Sequence, residues 1–175
     1  GIASAMDEIL ELAASHRLAV IEDAAHAFGS SYHGHAIGSF GDIACFSFDP
    51  IKTVTCGEGG AVVPADPELA ETLRRKRMLG LEIDSWRGGS STTFHQHVVS
   101  TQGYRYHMSN ISAAIGMTQL RRLEVFRARR REIVQTYNEA FGRIPGVKIL
   151  QWDLTAACPF NYVIRVPAGR RTAFR

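Results

Sequence analysis

The chain has 175 residues, 45% of them hydrophobic and 21% charged, with 16 glycines and 6 prolines. That composition supplies one core of ordinary domain size and excludes collagen-like, mucin-like and disordered chains. A formal net charge of +3, from 20 basic and 17 acidic residues, is too balanced to demand a nucleic-acid partner.

No apolar run approaches the ~20 residues that a bilayer-crossing helix needs, so no membrane partner is expected. Cys45, Cys56 and Cys158 are odd in number and far apart. They make neither a disulfide framework nor a zinc spacing, which predicts a reducing, cytoplasmic setting. The chain opens on Gly1 and stops at Arg175 inside what reads as the first turn of a helix. An internal piece of a longer protein is therefore expected.

Residues 4–16 read as a helix, with Ser4 and Asp7 at capping-box spacing and Met6, Ile9, Leu10 and Ala13 on one face. The run Leu18–Ile21 suits a parallel strand buried on both faces, closing in Glu22-Asp23. Acids there matter, because ligands of open α/β sheets sit outside the carboxyl ends of strands. A Gly-rich stretch over 29–41 reads as loop or short turns. Ile43–Phe48 is a second strand, closed by Asp49-Pro50, and a Gly57-Glu58-Gly59-Gly60 turn leads into a third at Ala61–Val63.

Asp66-Pro67 starts the next helix, with the acid as N-cap and the proline at the first helical position. It carries Leu69, Leu73 and Met78, and Gly80 is its stop. Residues 84–103 read as a loop. One long helix is predicted from Ser109-Asn110, with a stripe of Leu120, Leu123, Phe126, Ile133 and Tyr137 interrupted at Arg130. Gly142, Pro145 and Gly146 end it. Asn161–Val166 alternates like a half-buried strand and opens a second small domain. The order is that of an α/β protein.

Asp23 closes a strand, and His26 follows at a spacing that one helical turn would bring back beside it. Ser47 ends the next strand, and Lys52 lies five residues on. Singly, each has a simpler reading: a helix cap, strand packing, a solvated lysine, a tight glycine turn without the Lys-Ser/Thr of a phosphate loop. Together they match the needs of pyridoxal phosphate, which are an amine, an acid at the ring nitrogen and donors for the phosphate. Lys52 can supply the amine, Asp23 the acid and Ser47 a hydroxyl. His26 can stack on the ring or donate to its phenolic oxygen.

The runs Val20-Ile21-Glu22-Asp23-Ala24-Ala25-His26-Ala27-Phe28-Gly29, Phe46-Ser47-Phe48-Asp49-Pro50-Ile51-Lys52 and Gly57–Val63 resemble the DegT/DnrJ/EryC1/StrS family. Gly103–Gly116, with Gln119-Leu120, is similar to that family's Gly-Tyr-Asn-Tyr-Arg segment and the helix after it. The resemblance implies a pyridoxal-phosphate sugar aminotransferase of fold type I. In that fold a mixed, mostly parallel sheet is flanked by helices in a large domain. Residues 1–141 would be the C-terminal part of the large domain with its linking helix, and 142–175 the start of the small C-terminal domain.

By the same resemblance, Lys52 is the Schiff-base lysine and proton carrier, Asp23 the partner of the ring nitrogen and Ser47 a phosphate ligand. Lys52 also argues against a dehydrating side branch of the family, which has His there. His26 stands where Gln is common. Arg105 replaces an Asn that reaches the phosphate from the neighbouring subunit, a role that suits an arginine. His107 replaces an Arg. The implied substrates are a nucleotide-linked keto-sugar and an amino-acid donor such as glutamate, for polysaccharide or amino-sugar biosynthesis. The full-length parent is expected to be a homodimer. The alternative is a non-catalytic or regulatory module, or an inactive fragment, since the pattern's phosphate-gripping and ring-stacking segments lie upstream of Gly1.

Two His-x-His pairs, His33/His35 and His95/His97, would share a face on a strand, but neither has a third ligand at useful spacing, so exposed loop histidines are expected and no metal. Six arginines over 121–131, interleaved with Glu124 and Glu132, read as a solvated helix face rather than a nucleic-acid grip. Cys45 and Cys56 flank the proposed site as small strand hydrophobes.

Overall fold

The computed structural model describes residues 1–82, 98–151 and 153–174. Helix α1 spans Met6–His16 and buries Met6 and Ala13, one heptad apart. Its N-cap is Ala5, with no side-chain cap bond, so the Ser4 capping box does not form. Asp7 and Glu8 in the first turn meet the positive end of the helix dipole instead. Arg17 adopts a left-handed conformation at the C-cap, and the following Leu18 N–H closes on Ala13 O at 2.9 Å.

Strand β1 covers Ile21–Asp23, shorter than the run that predicts it. Val20 N–H is taken by the Asp42 carboxylate at 2.7 Å, and Val20 O by the amides of Asp42 and Ile43. Expected burial on both faces is not seen: Leu18 is 61% and Ile21 65% exposed. Among the described residues β1 pairs on one side only, with β4.

The glycine-rich stretch holds a small hairpin, β2 (Ser31–Tyr32) and β3 (His35–Ala36). His33 and Gly34, both with positive φ, form its two-residue turn. The sheet's centre is β4, Ile43–Ser47, parallel to β1 and antiparallel to β5, Gly60–Pro64. The sheet is thus mixed, in the order β1-β4-β5. Ala44 is buried in mid-sheet, while Phe28 meets Phe46 and Phe48 edge-on at 5.1 and 5.5 Å. Gly38 is required nearby, because its φ is +96° and an added Cβ would lie 2.3 Å from the Phe46 ring.

Helix α2, Pro67–Arg77, begins as its sequence predicts, with Asp66 accepting from Glu68 N–H at 2.9 Å and Pro67 in the first turn. Beyond it, Gly80 and Gly103 cross at a distance only glycines allow; a Cβ on Gly80 would fall 1.9 Å from Thr101 O.

The single long helix expected after Ser109 is two. Helix α3 spans Asn110–Leu120, with Ser109 Oγ accepting from Ser112 N–H at 3.1 Å. Helix α4 spans Leu123–Phe141, and the chain bends at Arg121-Arg122. The packed stripe of α4 runs through Leu123, Phe126, Arg127, Arg130, Val134, Asn138 and Phe141. Val134 rather than Ile133 is the buried residue.

Strands β6, Lys148–Ile149, and β7, Ile164–Arg165, pair antiparallel. Burial alternates over 161–166 as the sequence pattern predicts. Tyr162 joins this pair to α4 by donating to Asn138 Oδ1 at 2.8 Å and packing against Tyr137 and Phe141. A short 3₁₀ turn, Arg171–Phe174, follows.

Candidate functional site

β1 and β4 run parallel with Asp23 opposite Cys45, so their carboxyl ends share one edge of the sheet. Asp23 ends β1 and Ser47 ends β4. The chain then turns through Asp49-Pro50-Ile51, where Asp49 Oδ1 accepts from Ile51 N–H at 3.1 Å and Asp49 O from Lys52 N–H at 3.0 Å. That Asx turn holds the backbone of Lys52 just beyond β4. Cys56 N–H donates to Phe48 O, and Phe48 N–H to Gly59 O, closing the lysine loop at its base. Gly60 must lack a side chain there, since a Cβ would meet Phe46 O at 2.6 Å.

The polar valences at this edge are largely unspent. Asp23 Oδ1 accepts from Ala25 N–H at 3.2 Å, and Oδ2 accepts from no described residue. Ser47 Oγ accepts a long bond from Asp49 N–H, 3.4 Å, leaving its hydroxyl hydrogen to be donated. Lys52 Nζ makes no ion pair among the described residues; it lies over the Phe160 ring, 4.9 Å from the centroid.

His26 does not return to Asp23 through a helical turn. Residues 25–29 form a turn, and the imidazole stacks on Phe160 at 4.3 Å with 25° between the planes. One ring face is therefore occupied by Phe160, while the ring nitrogens engage no described residue. Phe160, which nothing in its local sequence marks, is the side chain that touches both His26 and Lys52.

Glu22, the neighbour of Asp23, has a structural task. Its buried carboxylate accepts from the amides of Gly38, Phe40 and Gly41, each at 2.9 Å, and so fastens the loop after β3 beneath the edge.

Arg105 is exposed, and no hydrogen bond or ion pair joins it to Asp23, His26, Ser47 or Lys52. Its segment is stitched to the end of α2, with Tyr106 N–H on Arg77 O at 3.0 Å and the Tyr104 and Tyr106 rings stacked at 5.1 Å. His107 is exposed beside it. A cavity of about 240 Å³ behind the lysine loop is lined by Phe48, Val54, Cys56, Met108 and α3 residues. It is apolar and offers nothing to a charged ligand. Cys56 is 1% exposed there, and burial pushes its thiol pKa up, as expected of an inert packing cysteine.

His33 and His35 are both exposed, and the hairpin separates them. His33 lies in the turn and His35 on β3, so they are not alternate residues of one strand, and His33 pairs with Asp7 at 3.2 Å. His95 and His97 lie outside the described residues. Among the described residues no group of three metal-ligating side chains occurs, and no helix is long and apolar enough to cross a membrane.

The arginine cluster of 121–131 is only partly a solvated face. Arg127 pairs with Glu124 and Arg129 with Glu132, but Arg130 and Arg131 turn to the carbonyls of 155–160. Arg130's interruption of an apolar stripe is the signal that could have flagged it.

The chain and its fold are similar to known proteins. A protein of Methanocaldococcus jannaschii, the uncharacterized protein MJ1066, is 44% identical over 142 residues, 81% of this chain and 37% of the relative. The crystal structure of S. venezuelae DesV, in complex with a ketimine intermediate, superposes with a TM-score of 0.82 at 33% identity, covering 100% of this chain and 44% of that one. Helicobacter pylori PseC, an aminotransferase involved in pseudoaminic acid biosynthesis, gives 0.86 at 27% identity, covering 98% and 44%. The chain therefore spans less than half the length of these relatives. The profile of the DegT/DnrJ/EryC1/StrS aminotransferase family matches residues 1–174, and the chain belongs to that family.

Proposed function

We propose that the protein to which these residues belong transfers an amino group from an amino acid, with glutamate the favoured donor, to a nucleotide-linked keto-sugar, using pyridoxal phosphate. The observation that carries this reading is the set of unspent groups at one sheet edge: a carboxylate oxygen of Asp23, the Ser47 hydroxyl, the Lys52 amine and the His26 ring nitrogens. Their chemistry fits the cofactor. When bound, pyridoxal phosphate supplies an aldehyde for amines and a ring that withdraws electrons from the carbon bearing the amine.

Asp23 Oδ2 would hold the proton of the pyridine nitrogen, its other oxygen being occupied by Ala25 N–H. Ser47 Oγ would donate to a phosphate oxygen. His26 would donate from a ring nitrogen to the phenolic oxygen or stack on the ring with the face that Phe160 leaves open. Lys52 Nζ would anchor the cofactor and, when displaced by substrate amine, take and return the proton at the amine-bearing carbon. Arg105, exposed in one chain, would reach the phosphate in a second copy of the protein, consistent with a homodimer. Residues 1–141 would form the large-domain part and 142–175 the start of the small domain. The enzyme would work in the cytoplasm, on soluble substrates, in polysaccharide or amino-sugar biosynthesis.

The test uses the full-length protein incubated with pyridoxal phosphate. Borohydride should fix the cofactor on the peptide containing Lys52, and Lys52→Ala should lose both the fixation and amine transfer. Fixation elsewhere, or persistence of transfer in Lys52→Ala, would sink the assignment. Uptake without transfer to any keto-sugar would favour a regulatory module.

A further inference from the structure

Phe160 comes from the far end of the chain, yet its ring is the surface on which Lys52 Nζ rests. A cation over an aromatic face is held by the ring quadrupole, more weakly than by a carboxylate and therefore releasably. The backbone beneath the ring is held on two sides. From α4, Arg130 Nη1 donates to Pro159 O and Phe160 O at 3.1 and 3.2 Å, and Arg131 Nη2 to Thr155 O at 2.8 Å. From the turn after His26, Ser30 Oγ accepts from Cys158 N–H and Ala156 O accepts from Ser31 N–H, both at 2.9 Å. Ala157, Cys158 and Pro159 are buried between these supports, so the ring does not ride on a loose loop.

We infer that Phe160 is a positioning residue that holds the Lys52 amine at the sheet edge, with Arg130 and Arg131 setting the height of its ring through the 155–160 strap. The inference rests on the reading that Lys52 is the site's working amine. It adds that the small-domain end of the chain reaches that amine through an aromatic face rather than through charge.

Competitive acetylation of the cofactor-free, full-length protein tests it. Limiting acetic anhydride is added, and peptide mass spectrometry reads Lys52 relative to exposed Lys148 and half-buried Lys76. Phe160→Leu keeps the bulk but removes the ring; it should raise Lys52 labelling about two- to fivefold, the range a half-exposed cation–π contact supports. Phe160→Tyr should retain the wild-type ratio, and Arg130→Gln should move it in the same direction as Phe160→Leu, by less. Unchanged Lys52 labelling in Phe160→Leu overturns the inference. So does a rise shared equally by Lys76, which would mean general loosening. Because labelling is read without cofactor, a wild-type protein that takes up no pyridoxal phosphate would overturn the functional reading and leave this comparison intact.

Discussion

Replacing Glu22 by Gln exchanges one carboxylate oxygen for an amide nitrogen at a site built for an acceptor. Oε1 receives the amides of Phe40 and Gly41, and Oε2 that of Gly38, all at 2.9 Å, in a residue 9% exposed. In the Glu22→Gln variant two bonds survive in neutral form, and the third becomes a donor facing a donor. Hydrogen bonds to a charged group are worth roughly 1.5–3 kcal/mol, so the substitution should cost about 2–3 kcal/mol. Glu22→Ala leaves all three amides without their acceptor and should cost more, about 3–5 kcal/mol after partial rescue by water. Urea unfolding at neutral pH reads this as a lower midpoint at unchanged slope. Hydrogen exchange should show Gly38, Phe40 and Gly41 losing protection together. A Glu22→Gln midpoint equal to wild type, or the three amides still protected, would refute the reasoning.

Asp66→Ala removes the acceptor for Glu68 N–H at the start of α2 and should destabilise by about 1 kcal/mol, measured by thermal or chemical unfolding. Iodoacetamide near neutral pH should label half-buried Cys45 before Cys56, whose thiol is both inaccessible and pushed up in pKa by burial; the reverse order would contradict the packing described. The Asp153 carboxyl is held below its usual value of 3.8, chiefly by the Thr155 hydroxyl and then the Thr155 amide. Its folded pKa is depressed, so its contribution is complete above the ordinary carboxylate value and disappears as pH falls through the lower folded one. Asp153→Asn should flatten that part of the acid limb of the unfolding-temperature profile, and an unaltered limb would count against the bond.

Much of this protein is legible locally. Asp66-Pro67 announces α2 because an N-cap acid and a first-turn proline act on the backbone they adjoin. Ser109 likewise marks the start of α3. The order Asp23, Ser47, Lys52 is legible as polar groups at or just beyond strand ends, and parallel strands share their carboxyl edge. The helix break at Arg121-Arg122 is less legible, because the apolar stripe continues through it. The hairpin of 31–36 escapes because its strands are only two residues each.

The sequence by itself therefore determined the family, the α/β order and which polar side chains stand at or just beyond the strand ends. These follow from nearest-neighbour conformational preferences and from side-chain chemistry carried at fixed spacing. Only the tertiary structure decided that His26 turns to Phe160 rather than Asp23, that Arg130 and Arg131 bind a distant strap, and that Glu22 serves the loop after β3. Each of those choices is a polar group or a ring finding its partner across the chain, and packing, not local propensity, selects which partner is within reach.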